Sequence, residues 1–305
     1  MSEHLSVLLT ESVEALQIKS AGCYFDATFG RGGHSRAILE RLGEKGRLFA
    51  TDRDPRAAEV ANRWKDPRFC FRRGEFSRFL SNFPELQEES LDGILLDLGV
   101  SSPQFDDASR GFSFMREGEL DMRMNPTTGL TAKEFVNSAE YGKLANVIAC
   151  MGEERFAKQI AKKIIKARGS QLITTTKQLA EIVSSAIPAR FHVPGRHPAT
   201  RTFQAIRIYV NRELEELQTI LQSVYPVLKS GARLVVISFH SLEDDVVKQF
   251  VKSMAGQELP PEIPVADNSI YKKVKLIGRP VRPGEREISN NPRSRSSIMR
   301  VVEKI

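Results

Sequence analysis

The chain holds 305 residues, with 45 Lys and Arg against 38 Asp and Glu and a formal net charge of +7, enough length for one large or two smaller domains with ample core and a basic excess that permits a polyanionic partner without requiring one. Three cysteines, Cys23, Cys70 and Cys150, are odd in number and far apart, which argues against a disulfide framework or a paired-cysteine metal site. No apolar run approaches the length of a membrane span and the first residues lack a basic stretch followed by an apolar one, so a soluble, cytoplasmic protein with no membrane partner is expected.

The first hundred residues alternate strand and helix patterns: strand 24–27, helix 35–42, strand 47–51, a helix from Pro55, strand 69–71 and strand 91–96. Such alternation predicts a parallel sheet covered on both faces. Between the first strand and helix lies Phe25-Asp26-Ala27-Thr28-Phe29-Gly30-Arg31-Gly32-Gly33-His34, and the second strand ends in Asp52. Glycines there let the backbone approach a ligand, and a carboxylate at the next strand end can accept both hydroxyls of a ribose diol. Asp54 precedes Pro55 and is assigned to an N-cap, which leaves Asp52 for the ligand. Thr28 replaces the first glycine of the dinucleotide pattern and Asp26 adds a negative charge that repels pyrophosphate but suits a cation such as S-adenosylmethionine. A glycine turn that binds nothing is the alternative. Phe76, after the third strand, can cover a purine face or sit in the core. Asp97 leaves the buried fourth strand at the edge where open sheets hold ligands, or caps a loop.

From about 106 to 200 no convincing strand appears, only helical patterns such as 153–168 and 177–186. In the first of these Arg155, Lys158, Lys162 and Lys166 gather opposite Ala157, Ile160, Ala161 and Ile164, which fits a solvated face or a nucleic-acid contact. A long helix over 200–228, closed by Ser230-Gly231, a buried strand 234–238, a helix from Leu242 and strands near 271–276 and 297–302 complete the pattern. The segment 272–300 carries nine Lys and Arg against Glu285 and Glu287. The simplest architecture is a discontinuous α/β domain, 1–105 and 201–305, interrupted by a helical insertion, 106–200. His192 and His197 have no Cys or His cluster beside them, so no catalytic metal is expected.

Seven segments together carry a family signature: 26–35, 92–104, RGFSFMREGELDMRM at 110–124, GEERFAKQIA at 152–161, HPATRTFQAIR at 197–207, ISFHSLED at 237–244 and NPRSRSS at 291–297. In this order, from His4 almost to the C-terminus, the chain resembles the bacterial small-subunit (16S) ribosomal RNA cytosine N4-methyltransferase family. Ser6 stands where that family commonly has Pro, and Asn125 where Asp often follows the DMRM run. The resemblance implies a Rossmann-like methyltransferase sheet, S-adenosylmethionine as donor, and the exocyclic amine of a cytosine in the decoding region as acceptor. It places donor contacts on Gly32, Gly33, His34, Asp52, Phe76, Asp97 and Gln104. Asp97, which the family assigns chiefly to the donor, is also the candidate catalytic residue because a strand-end carboxylate can accept a hydrogen bond from the N4 amine, and the local excess of positive charge gives the insertion and the basic tail an expected RNA-recognition role.

Cytosine N4 is a poor nucleophile because its lone pair is delocalised, so the base must leave its stack and the amine must be held in line with the methyl group. Phe105, Phe112 and Phe114 could hold the base or form a small core; His240 and Ser241 would line the rim, and the 291–297 tail could meet phosphates. Two alternatives stay open, an NAD-dependent oxidoreductase and a non-catalytic RNA-binding scaffold. Also open are whether free RNA or the assembled subunit is the partner, and whether the chain forms a homodimer.

Overall fold

In the computed structural model, which describes residues 6–254 and 273–305, seven strands form one sheet in the order β3-β2-β1-β4-β5-β7-β6. These are β1 (Cys23–Asp26), β2 (Arg47–Asp52), β3 (Phe69–Arg73), β4 (Leu91–Asp97), β5 (Leu228–Ser238), β6 (Val274–Leu276) and β7 (Ile298–Lys304). Each falls on an expected strand; Tyr271 and Lys272, at the start of the sixth, lie outside the described residues, as does His4. The first five strands run parallel, and β7 pairs antiparallel with β5 and β6. Strand order reverses direction at β1, beside β4, which is where an open α/β sheet leaves a crevice at its carboxyl edge.

The chain divides into two compact units, Met1–Gly99 with Leu214–Ile305, and Val100–Glu213. The boundaries differ from those expected at 105/106 and 200/201, because residues 100–105 and the helix Thr200–Asn211 pack within the second unit.

In the first unit the period-two alternation of the central strands builds two apolar layers. Phe25, Ile94, Leu96, Leu234 and Val236 face Leu217, Ile220, Val224, Val247 and Val251. Tyr24, Leu95, Val235 and Ile237 face Val13, Leu16, Ile38 and Leu39. Asp92 ties the far ends of the strands: its carboxylate accepts from Lys19 Nζ at 3.0 Å, Lys229 Nζ at 2.6 Å and the Cys23 amide at 3.0 Å. Burial opposes its charge, but Lys229, the Cys23 amide and Lys19 together hold its carboxyl below the usual range. A depressed carboxylate adds stability above its unfolded pKa and loses it as pH falls through the folded one. Asp92→Ala is therefore expected to lower the unfolding free energy by about 2 kcal/mol at pH 7, with the deficit shrinking in acid below the ordinary Asp range, as measured by denaturant titration.

The long helix expected over 200–228 is two helices, Thr200–Asn211 and Glu213–Val227, broken at Arg212, whose φ is +52°. The Asn211 side chain at the break accepts from the Met124 amide at 2.7 Å and donates to the Met122 carbonyl at 2.7 Å. Ser230 and Gly231 do not close the second helix. They lie inside β5, where Gly231 takes φ +77° and the pairing with β4 shifts register between Leu91 and Gly93.

The second unit contains no strand among its described residues, only an isolated bridge between Glu119 and Thr175. Its helices enclose Leu144, Ile148, Ile160, Ile164, Val183 and Ile206. The 110–124 segment braces it: Arg110 donates to the Arg123 and Met124 carbonyls, and Arg123 pairs with Asp121 at 2.7 Å.

Candidate active site

β1 delivers Asp26 into a loop that turns through Gly30 (φ +55°) and Gly32 (φ +78°) before the helix Gly33–Arg41. At Gly32 the left-handed backbone needs glycine, and a Cβ would also lie 2.5 Å from the Trp64 ring. A Cβ on Gly30 would meet only the Thr28 carbonyl at 3.9 Å, so this part of the turn presents open backbone. Asp52, at the end of β2, fixes the turn: Oδ2 accepts the Gly30 amide at 2.8 Å and Oδ1 the Asp54 amide at 2.8 Å. Each oxygen keeps a second lone pair for a hydroxyl. Burial outweighs the two amides and raises the carboxyl above its usual range. Asp54 caps the next helix by accepting the Arg56 amide, with Pro55 at the first helical position.

Thr28, in place of the first glycine, joins two strand ends by accepting the Asp97 amide at 2.7 Å. Asp26 is buried and accepts from Ser35 Oγ at 2.6 Å and the Thr28 amide at 3.0 Å, yet desolvation pushes its carboxyl up to about 6. Asp97 is more perturbed. Its side chain is 23% exposed, but Oδ1 is buried with no hydrogen-bond partner. Burial first, then the negative charges of Asp26, Glu243 and Glu287, raises its carboxyl well above the ordinary range. His34 is buried beside it, with Nδ1 3.7 Å from Asp97 Oδ2 and Nε2 3.1 Å from the Val7 carbonyl. Nε2 donates to that carbonyl, which turns Nδ1 toward the Asp97 carboxyl.

These groups form a site that calls for positive charge: an orphaned carboxylate oxygen, three further carboxylates around it and a glycine turn with open backbone. An ammonium or sulfonium cation fits this donor set, whereas a pyrophosphate would add charge of the wrong sign. Phe76 follows β3 in a short 3-10 turn, half-buried, with the Arg53 guanidinium 6.0 Å from its ring centre. Gln104 belongs to the second unit. There it closes a capping box, its Oε1 accepting the Ser101 amide at 2.9 Å.

Residues 1–305 match the MraW methylase family. This chain belongs to that family. A curated relative, ribosomal RNA small subunit methyltransferase H of Nitrosospira multiformis, is 53% identical over 308 residues, covering 99% of this chain and 98% of the relative. Two solved structures align at low similarity. An rRNA methylase from Streptococcus thermophilus has 8% identity and a TM-score of 0.44, covering 99% of this chain and 98% of its own. A SAM-dependent O-methyltransferase from Thermotoga maritima has 9% identity and a TM-score of 0.43, covering 100% and 68%. Beside the match to the methylase family neither the oxidoreductase nor the non-catalytic scaffold finds support.

As a member of this family the chain is a methyltransferase with a Rossmann-like sheet and S-adenosylmethionine as its donor. Glu243 and Glu287 belong to its acid cluster and were not expected from the sequence. Glu243 accepts the Phe239 amide at 2.7 Å and Glu287 the Leu8 amide at 2.8 Å, so each is placed by a fold contact. The ISFHSLED motif was the available signal for Glu243; Glu287 had none. Phe112 is 4% exposed within the second unit's core, and Phe114 packs on His197 and Phe203 at 4.5 and 4.9 Å, so these rings build a core. No helix among the described residues is long and apolar enough to cross a membrane.

Proposed function

We propose that this methylase transfers a methyl group from S-adenosylmethionine to the N4 amine of a cytosine in the decoding region of small-subunit ribosomal RNA, in the cytoplasm, with the assembled subunit as substrate. The observation that carries the reading is the partnerless Asp97 oxygen within the acid cluster at the β1–β4 crevice. Asp52 accepts the ribose hydroxyls, the turn through Gly32, Gly33 and His34 holds the amino-acid end, and Phe76 stacks on the adenine. Gln104 is assigned to the donor on its motif position alone. Bound there, the donor supplies an electrophilic methyl group and leaves as a neutral thioether. Ionised Asp97 would accept a hydrogen bond from N4 before transfer, drawing the amine out of conjugation, would stabilise positive charge as the C–N bond forms, and would take the proton that the methylated nitrogen loses. The second unit recognises RNA, and Arg293 and Arg295 of the basic tail add phosphate contacts.

Transfer of labelled methyl groups to small subunits from cells lacking the gene tests the reading; label retained on naked RNA but absent from subunits would change the substrate. Donor affinity carries a pH signature. A bound cation favours ionised Asp26 and Asp97, so affinity should weaken as pH falls through about 6, the value to which Asp26 is raised. Calorimetric titration between pH 5.5 and 8 checks this, and a flat profile would remove the acid cluster from the donor site.

A further inference from the structure

The helix Ala157–Ser170 of the second unit buries Ala157, Ile160, Ala161 and Ile164, and on the opposite face exposes Lys158, Lys162 and Lys166 at successive four-residue steps. The helix contains no acidic residue, and among the described residues none of these lysines makes an ion pair. Like charges four residues apart on a helix repel one another, so the row weakens the helix that carries it. At the head of the row the Arg155 guanidinium sits beside two rings that touch each other, 4.7 Å from the centre of Phe156 and 4.1 Å from that of Phe191, the ring centres being 5.1 Å apart. Phe191 is 37% exposed, and Arg190 stands 4.9 Å from its ring. Residues 188–197 around it are almost entirely exposed and contain no carboxylate.

A solvated helix face explains scattered lysines but not an arginine held over an aromatic pair of which Phe191 stays open to solvent. We propose that this face binds single-stranded RNA, with Lys158, Lys162 and Lys166 following successive phosphates and the Phe191–Arg155 stack receiving an unpaired base. The helix rises about 6 Å per four residues, a spacing suited to consecutive phosphates of one strand. Stacking on an aromatic ring backed by a guanidinium is indifferent to base identity, so the surface supplies affinity and register and not sequence choice. The inference rests on the rRNA substrate proposed above and adds where that RNA is held.

The test measures binding of the full chain to a small-subunit rRNA transcript and to subunits from cells lacking the gene, across a salt series. With Lys158, Lys162 and Lys166 all changed to alanine, the dissociation constant should rise at least tenfold and the slope of log affinity against log salt should flatten by about two to three units. Phe191→Ala should weaken binding about fivefold or more with an unchanged slope. Donor affinity should match wild type in both, the lysine variant should melt no lower than wild type because the like-charge row is gone, and glutamine at the three lysine positions provides a second neutral set. Wild-type affinity and slope in these variants, beside a wild-type chain that still methylates rRNA, would overturn the surface alone. Loss confined to subunits, with naked transcript bound normally, would assign the face to a ribosomal protein and also overturn it. A wild-type chain that neither binds nor methylates rRNA would remove the underlying reading itself.

Discussion

Asp97→Ala is expected to lower turnover at least a hundredfold, the scale reached when one preorganised electrostatic partner of a transition state is removed. Folding should survive, because Asp97 stands at the exit of β4 and the apolar layers on either side of the sheet do not depend on it. Stability should even rise in the isosteric variant. A carboxyl whose folded pKa is raised binds protons better in the native state, so its ionisation costs stability as pH climbs from the ordinary Asp value through the raised one. Asp97→Asn should therefore melt higher than wild type at pH 8, with the advantage vanishing in acid. Donor affinity measured separately separates the roles: affinity kept with turnover lost assigns Asp97 to the acceptor amine, and both lost together assigns it to the donor. Wild-type turnover would exclude it from the chemistry.

Asp52→Ala should weaken donor binding at least tenfold, since hydrogen bonds to a charged group contribute roughly 1.5–3 kcal/mol. The loss has a second source in the structure. Asp52 also accepts the Gly30 and Asp54 amides, so its removal releases the glycine turn as well as the ribose hydroxyls. Asp52→Asn keeps one acceptor oxygen for that turn and should lose less. Equal donor affinity in wild type and Asp52→Ala, read by calorimetry, would take Asp52 out of the site.

Much of this arrangement is visible in the sequence because it is local. A buried strand ending in a carboxylate, as at Asp52 and Asp97, and an Asp-Pro pair at a helix start, as at Asp54, are written within a few residues, and the structure places each there. The helix break at Arg212 is not, because the left-handed conformation falls on an arginine where glycine would have signalled it, and the cause is Asn211 reaching residues almost ninety positions earlier. Ser230-Gly231 misleads for the opposite reason: the glycine serves a strand irregularity and not a helix end. Distance also hides the acid cluster. Asp26 and Asp97 meet through the sheet order, Glu243 and Glu287 join them from two helices distant in the chain, and the orphaned Asp97 oxygen cannot be read from any motif.

Methylation of cytosine N4 in small-subunit rRNA is the activity proposed for this site. Mass spectrometric mapping of that RNA from cells with and without the gene tests it most directly. An N4-methylated cytosine in the decoding region should be present in the first, missing in the second, restored by the wild-type gene and not by Asp97→Ala; identical methylation in both strains would contradict the account.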